Sequence, residues 1–132
     1  MSDFRIFPNP PGVHSTVGYS HAVRIGDQLY VSGQIARDER GEIVGRGDAR
    51  AQTEQIYKNL KAVLEACGSG LDLIGKITVY TTDIAHRPGI RAARDAVFGP
   101  MGRFPAATFV VVSGLAEPEY LVEIEVMAAL RD

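Results

Sequence analysis

The chain has 132 residues, of which 45% are hydrophobic, and a formal net charge of −2. One ordinary domain of that length buries a real core and is not disordered, and its mixed, near-neutral charge gives no electrostatic reason to expect nucleic acid or an anionic membrane as a partner. No apolar run approaches the roughly 20 residues of a membrane span, the polar, proline-rich start MSDFRIFPNPPG is unlike a secretory signal, and the single cysteine, Cys67, excludes an internal disulfide and fits a cytoplasmic setting.

Phe4, Ile6 and Phe7, flanked by Pro8, Pro10 and Pro11, read as a short edge strand, where proline is tolerated. His21 to Ile25 and Gln28 to Ser32 read as a hairpin about the two-residue loop Gly26-Asp27, with Ser32-Gly33-Gln34 ending its second strand. The charged, glycine-bearing segment Asp38 to Gly47 reads as an exposed loop, with a short strand at Ile43-Val44. From Asp48 the period changes. Ile56, Leu60, Val63, Leu64 and Cys67 recur three and four residues apart, which marks one helix face, with Asp48 as N-cap and Gly68 as the stop.

Gly75 to Thr82 is β-branched and aromatic and reads as a strand. A second helix is expected from Arg87 or Pro88 to Phe98, ended by Gly99-Pro100. Phe104 to Leu130 then carries two strand-like runs. In the first, Ala107, Phe109 and Val111 share a side. In the second, Val122, Ile124, Val126, Ala128 and Leu130 alternate with Glu123, Glu125 and Met127.

With no repeat or linker, residues 1–132 are expected to form one α+β domain: a single mixed sheet with both helices on one face. The open face is expected to carry Phe109, Val111 and Met127. So large an apolar face predicts a closed homo-oligomer.

Common catalytic signatures are missing: the sequence has no GxGxxG, Walker loop, HExxH or paired-cysteine metal site. His14, His21 and His86 read as unrelated surface or loop histidines, so no metal is expected. Cys67, at a helix C-terminus, reads as a packed structural residue, since that end disfavours a thiolate. Glu123 and Glu125 are either solvated carboxylates on a half-exposed strand or a carboxylate held in a cleft, where burial raises its pKa toward a general-base range. Arg87, Arg91 and Arg94 are either solvated helix charges or a carboxylate clamp. Tyr19, Ser32 and Gly33 are ordinary turn and strand-end residues on their own.

Together GYSHAV (Gly18 to Val23), VSGQI (Val31 to Ile35), QTEQIYKNLKAVLEACG (Gln52 to Gly68) and VEIEVMA (Val122 to Ala128) resemble the Rid family, RidA/YjgF type, also called L-PSP endoribonucleases. KITVYTTD and FPAAT align in kind, so the likeness spans nearly the whole chain. The resemblance implies a chorismate-mutase-like subunit in a homotrimer with a barrel-like core and small-molecule clefts between subunits. It implies hydrolysis of reactive imines or enamines to 2-oxo acids and ammonia, without a cofactor. By the same resemblance Tyr19, Ser32 and Gly33 hold the ligand and Glu123 handles water and protons. The chain departs from the family where the deaminases carry PARS. Ala107 stands at the position of the arginine that pairs with the substrate carboxylate, Phe109 replaces a frequent cysteine, and Arg91 stands where the archetype has an asparagine. The substrate is therefore expected to differ from a simple short-chain 2-imino acid, with Arg91 as a candidate replacement charge. The alternative is a non-catalytic ligand-binding trimer using the same cleft.

Overall fold

Asp48 starts the longest helix of the chain. Its side chain accepts a hydrogen bond from the Ala51 amide at 3.0 Å, satisfying one of the donors that a helix N-terminus leaves free. The computed structural model describes residues 3–132. In chain order it contains β1 (Phe4–Phe7), β2 (Ala22–Ile25), β3 (Gln28–Gln34), α1 (Ala49–Ala66), β4 (Ile74–Thr81), α2 (Arg87–Phe98), β5 (Ala106–Val111) and β6 (Val122–Ala129). These are the expected elements in the expected order. α1 ends at Cys67, after which Gly68 takes a φ of 87° that other residues rarely adopt.

The six strands form one sheet in the order β1-β2-β3-β6-β4-β5. β4 and β5 are parallel, joined through α2, and every other neighbouring pair is antiparallel. β6, last in sequence, lies near the middle, between β3 and β4. Its strict alternation is explained by that place. Val122, Ile124, Val126 and Ala128 are buried under the helices, whereas Glu123, Glu125 and Met127 face the other way.

Ile56, Leu60, Val63 and Leu64 of α1 and Ile90 and Phe98 of α2 pack on this inner face in a single core. Each such side chain contributes about 1.5–3 kcal/mol by leaving water. The Phe98 ring meets Tyr57 edge-on, with centroids 5.7 Å apart, and ties the two helices together. The result is the chorismate-mutase-like α+β arrangement: one mixed sheet with two helices on one face.

One expectation is corrected. Phe109 and Val111 do not lie on the open face. β5 pairs with β4 so that Ala107 stands beside Ile77, Phe109 beside Val79 and Val111 beside Thr81, all on the helix side. The apolar content of the open face comes instead from the row Ile6, Val23, Tyr30 and Met127, which crosses four adjoining strands. The segment Asp38 to Gly47 is a loop with a short strand bridge at Ile43, as expected, and the chain just before it is buried. Arg37 bridges Ile43, the Val44 amide donates to Ala36 O at 2.9 Å, and Ala36 is fully buried.

Candidate active site

The site is built around an irregularity in β3. Val31 pairs with Val126 and Gln34 with Ile124, so Ser32 and Gly33 together oppose one residue of β6, a β-bulge. The Ser32 hydroxyl donates to Ser20 O at 2.6 Å and its amide to His21 O at 2.9 Å, which holds the bulge against the start of β2. Gly33 lies against the Glu123 side chain so closely that a β-carbon there would stand 2.1 Å from Oε2.

Glu123 and Glu125 share the open face of β6 but not the same surroundings. Glu125 is exposed and accepts a hydrogen bond from the Tyr80 hydroxyl. Glu123 is half-buried, and its pKa is raised, first by desolvation and then by the charge of Glu125. Beside it stands Tyr19, whose hydroxyl pKa is raised by burial and by the nearby Glu123 and Tyr120.

Tyr19, Ser32, Gly33 and Glu123 line one cleft of about 740 Å³. Arg91, Ala107 and Phe109 do not reach it. They gather instead around a small cavity of about 70 Å³ between α2 and β5. There the Arg87 guanidinium lies over the Phe109 ring at 5.7 Å, and Arg91 is exposed. The predicted residues thus form two groups on one subunit.

The cleft also contains His14, Arg37 and Tyr120, which sequence reasoning passed over as site residues. The histidines are not unrelated surface groups: His14 and His21 are buried and meet edge-on, with centroids 5.1 Å apart. His21 Nε2 donates to His14 O at 2.7 Å, while its Nδ1 takes the Gln34 amide at 3.0 Å. Burial, His21 and Arg37 lower the His14 pKa against an opposing pull from Asp38, which favours a neutral ring. Arg37 donates to Tyr120 Oη and, at 2.6 Å, to Gly41 O.

Helix α1 positions both loops of this cleft through polar residues on its buried side. Asn59 Nδ2 donates to Ile35 O at 3.1 Å and Arg37 O at 2.9 Å. Gln52 donates to Gly45 O and Glu119 O and accepts from the Leu121 amide at 2.9 Å. Polar residues recurring within an apolar helical stripe were the available signal for this role. Among the described residues, no cluster of three or more His, Cys, Asp or Glu has metal-site geometry, and no helix is long and apolar enough to cross a membrane. Cys67 lies buried at the end of α1, with its thiol pushed up to about 11 by burial.

A bulged sheet holding a half-buried carboxyl in an open cleft, backed by two helices, defines a small single-sheet α+β protein. Residues 11–130 match the sequence profile of the family described as Endoribonuclease L-PSP. A RutC family protein of Pyrococcus abyssi is 38% identical over 111 residues, covering 83% of this chain and 84% of that protein. A 2-iminobutanoate/2-iminopropanoate deaminase of Dermatophagoides farinae is 31% identical over 131 residues, covering 99% and 100%. The Rid family protein YyfA of Yersinia pestis superposes with a TM-score of 0.87 at 35% identity, covering 94% and 98%. The chain belongs to the L-PSP endoribonuclease family, the Rid family.

Proposed function

We propose that the chain hydrolyses a reactive imine or enamine to the corresponding oxo compound and ammonia. The observation that carries this reading is the half-buried Glu123 carboxyl with a raised pKa, set beside Ser32, Gly33 and Tyr19 in an open cleft. The deaminase name of the mite relative supports the reaction class. In the protonated imine the carbon is already electrophilic. Glu123 takes one proton from an attacking water, the C–O bond forms, and the proton returns to the nitrogen. Glu123, again a carboxylate, takes the hydroxyl proton as the C=O bond forms and the C–N bond breaks, ammonia leaves, and the proton passes from Glu123 to it to give ammonium. Such acid–base help is worth about a hundred- to ten-thousandfold. Tyr19 and Ser32 orient the ligand, and Gly33 lets it and the Glu123 carboxyl approach the backbone.

The working unit is a homotrimer. Its support is the row Ile6, Val23, Tyr30 and Met127 on the face away from the helices, where Ile6 is 50%, Tyr30 37% and Met127 43% exposed. In that assembly Arg91, Ala107 and Phe109 of one copy form the far wall of a neighbour's Glu123 cleft. The reaction needs no cofactor or metal, and the setting is cytoplasmic.

The test is an assay in which an amino-acid oxidase generates imines of several side chains and ammonia release is followed. Acceleration by the native chain that disappears in Glu123→Gln is expected. Saturable binding of a 2-oxo acid without acceleration of any imine would replace this reading with a ligand-binding trimer.

A further inference from the structure

The Glu123 cleft holds an arginine without an ion-pair partner among the described residues. Arg37 is half-buried in the cleft wall, yet no carboxylate among the described residues pairs with it. Its guanidinium is not loose. It is held by Tyr120 Oη and by Gly41 O at 2.6 Å, lies over the Tyr120 ring at 5.3 Å, and its backbone carbonyl is fixed by Asn59 at 2.9 Å. These contacts use Nε and one Nη1 proton, leaving the Nη2 face of the fork without a protein acceptor.

A second unsatisfied group lies on the same wall. His14 is 7% exposed, and its Nδ1 is buried with no protein hydrogen-bond partner. The acidic residues bordering the cleft, Glu39 and Glu117, are exposed, and neither pairs with Arg37.

From this arrangement we infer that Arg37, with His14 beside it, forms a carboxylate-binding subsite in the same cleft and on the same subunit as Glu123. The inference rests on the imine-hydrolase reading for its ligand class: a carboxylate-bearing imine and its 2-oxo acid product. Ala107 carries only a methyl group and lines the separate cavity between α2 and β5, so on this subunit it offers a ligand carboxylate no charge. Arg37 presents a preorganised guanidinium edge, and the buried His14 ring lies beside it in the same cleft wall. A ligand anchored at Arg37 approaches Glu123 from a different direction than one anchored at position 107, and so selects a different side-chain shape.

The experiment is calorimetric titration of the whole chain with 2-oxobutanoate, used as a minimal carboxylate probe of the subsite and not as the product of the native substrate, and with uncharged butan-2-one. Saturable binding of 2-oxobutanoate to the native chain is expected. Arg37→Gln should weaken it about ten- to hundredfold, the loss expected for a charged hydrogen bond. Arg91→Ala is titrated as the competing arginine and should weaken it less than Arg37→Gln does, whereas Lys61→Ala, exposed on α1 and outside the cleft lining, should leave it within about threefold; the response to butan-2-one should be the same in all four proteins. Arg37 also braces the 37–43 segment, so circular dichroism and thermal melting accompany each variant. If Arg37→Gln does not fold, Arg37→Lys takes its place, keeping the charge while losing the fork, with a smaller but measurable loss expected. Unchanged affinity in a folded Arg37 variant, a larger loss in Arg91→Ala, or no saturable binding by the native chain overturns the inference. Arg37-dependent binding with no imine hydrolysis overturns only the hydrolase reading, and hydrolysis with Arg37-independent binding overturns only the subsite.

Discussion

The Glu123 carboxyl fills the space that a side chain at position 33 would need: a β-carbon built on Gly33 lies 2.1 Å from Oε2 and 2.7 Å from Cδ of Glu123. Gly33 is not among the glycines with positive φ, so proximity and not backbone conformation explains the residue. Gly33→Ala is expected to push the carboxyl out of place. Imine turnover should then fall nearly as far as in Glu123→Ala, about a hundred- to ten-thousandfold, while overpacking costs about 1–3 kcal/mol of stability. Rates and thermal unfolding of both variants check this. A folded Gly33→Ala protein with full activity would place the chemistry away from Glu123.

The raised pKa of Glu123 gives a pH signature. Burial is its larger cause and the Glu125 charge the smaller. The folded chain binds this proton more tightly than the unfolded one. The resulting stability is complete below the unfolded carboxylate pKa and is lost as pH rises through the higher folded value. Denaturant unfolding at a series of pH values should show that decline, and Glu123→Gln should flatten it. If the carboxylate is the working base, turnover rises with pH through the same folded pKa. Glu125→Gln removes the like charge and should move that rise toward acid; an unmoved profile would mean that the two carboxyls are not coupled.

Gln52 is fully buried and holds three backbone groups, at Gly45, Glu119 and Leu121. Gln52→Ala leaves these groups unsatisfied, and roughly 2–5 kcal/mol of stability should be lost, since each orphaned group costs about 1–3 kcal/mol and such losses do not add fully. The segment before β6 carries Tyr120, so 2-oxobutanoate affinity should fall as well. Chemical denaturation and titration of the same variant test both effects, and a drop in stability with untouched affinity would separate this strap from the cleft.

Asp48 offers a contrast at the same end of the same helix, just before it begins. Asp48→Ala removes the cap on the Ala51 amide and should cost about 1 kcal/mol. Ligand affinity and turnover should stay at native levels, because the capping side chain is not part of the cleft lining. Thermal melting alongside the titration shows whether stability and function separate as expected.

Much of the site was legible in the sequence through family likeness: Tyr19, Ser32, Gly33 and Glu123 do line one cleft. Arg37 and His14 were not legible, because nothing in their neighbourhood is periodic. Arg37 precedes the charged, glycine-bearing stretch that reads as an exposed loop, and besides Gly41 O nearby, the Asn59 amide and the Tyr120 hydroxyl, far away in sequence, hold it against the cleft. His14 sits in an irregular segment whose burial depends on packing against His21.

Local pattern by itself determined the elements and their order, since helix and strand periods, caps and turn residues act over a few neighbouring positions. It also set the inner and outer sides of β6, where Glu123 alternates with buried Val122 and Ile124. The side taken by Phe109 was decided only by the pairing of β5 with β4, because alternation within a strand separates two faces without saying which one the helices cover. The environment of Glu123 was likewise decided by tertiary structure. Two carboxyls two residues apart are equivalent in sequence, but the bulge at Ser32-Gly33 encloses one and leaves the other in water, and burial gives only the first its raised pKa.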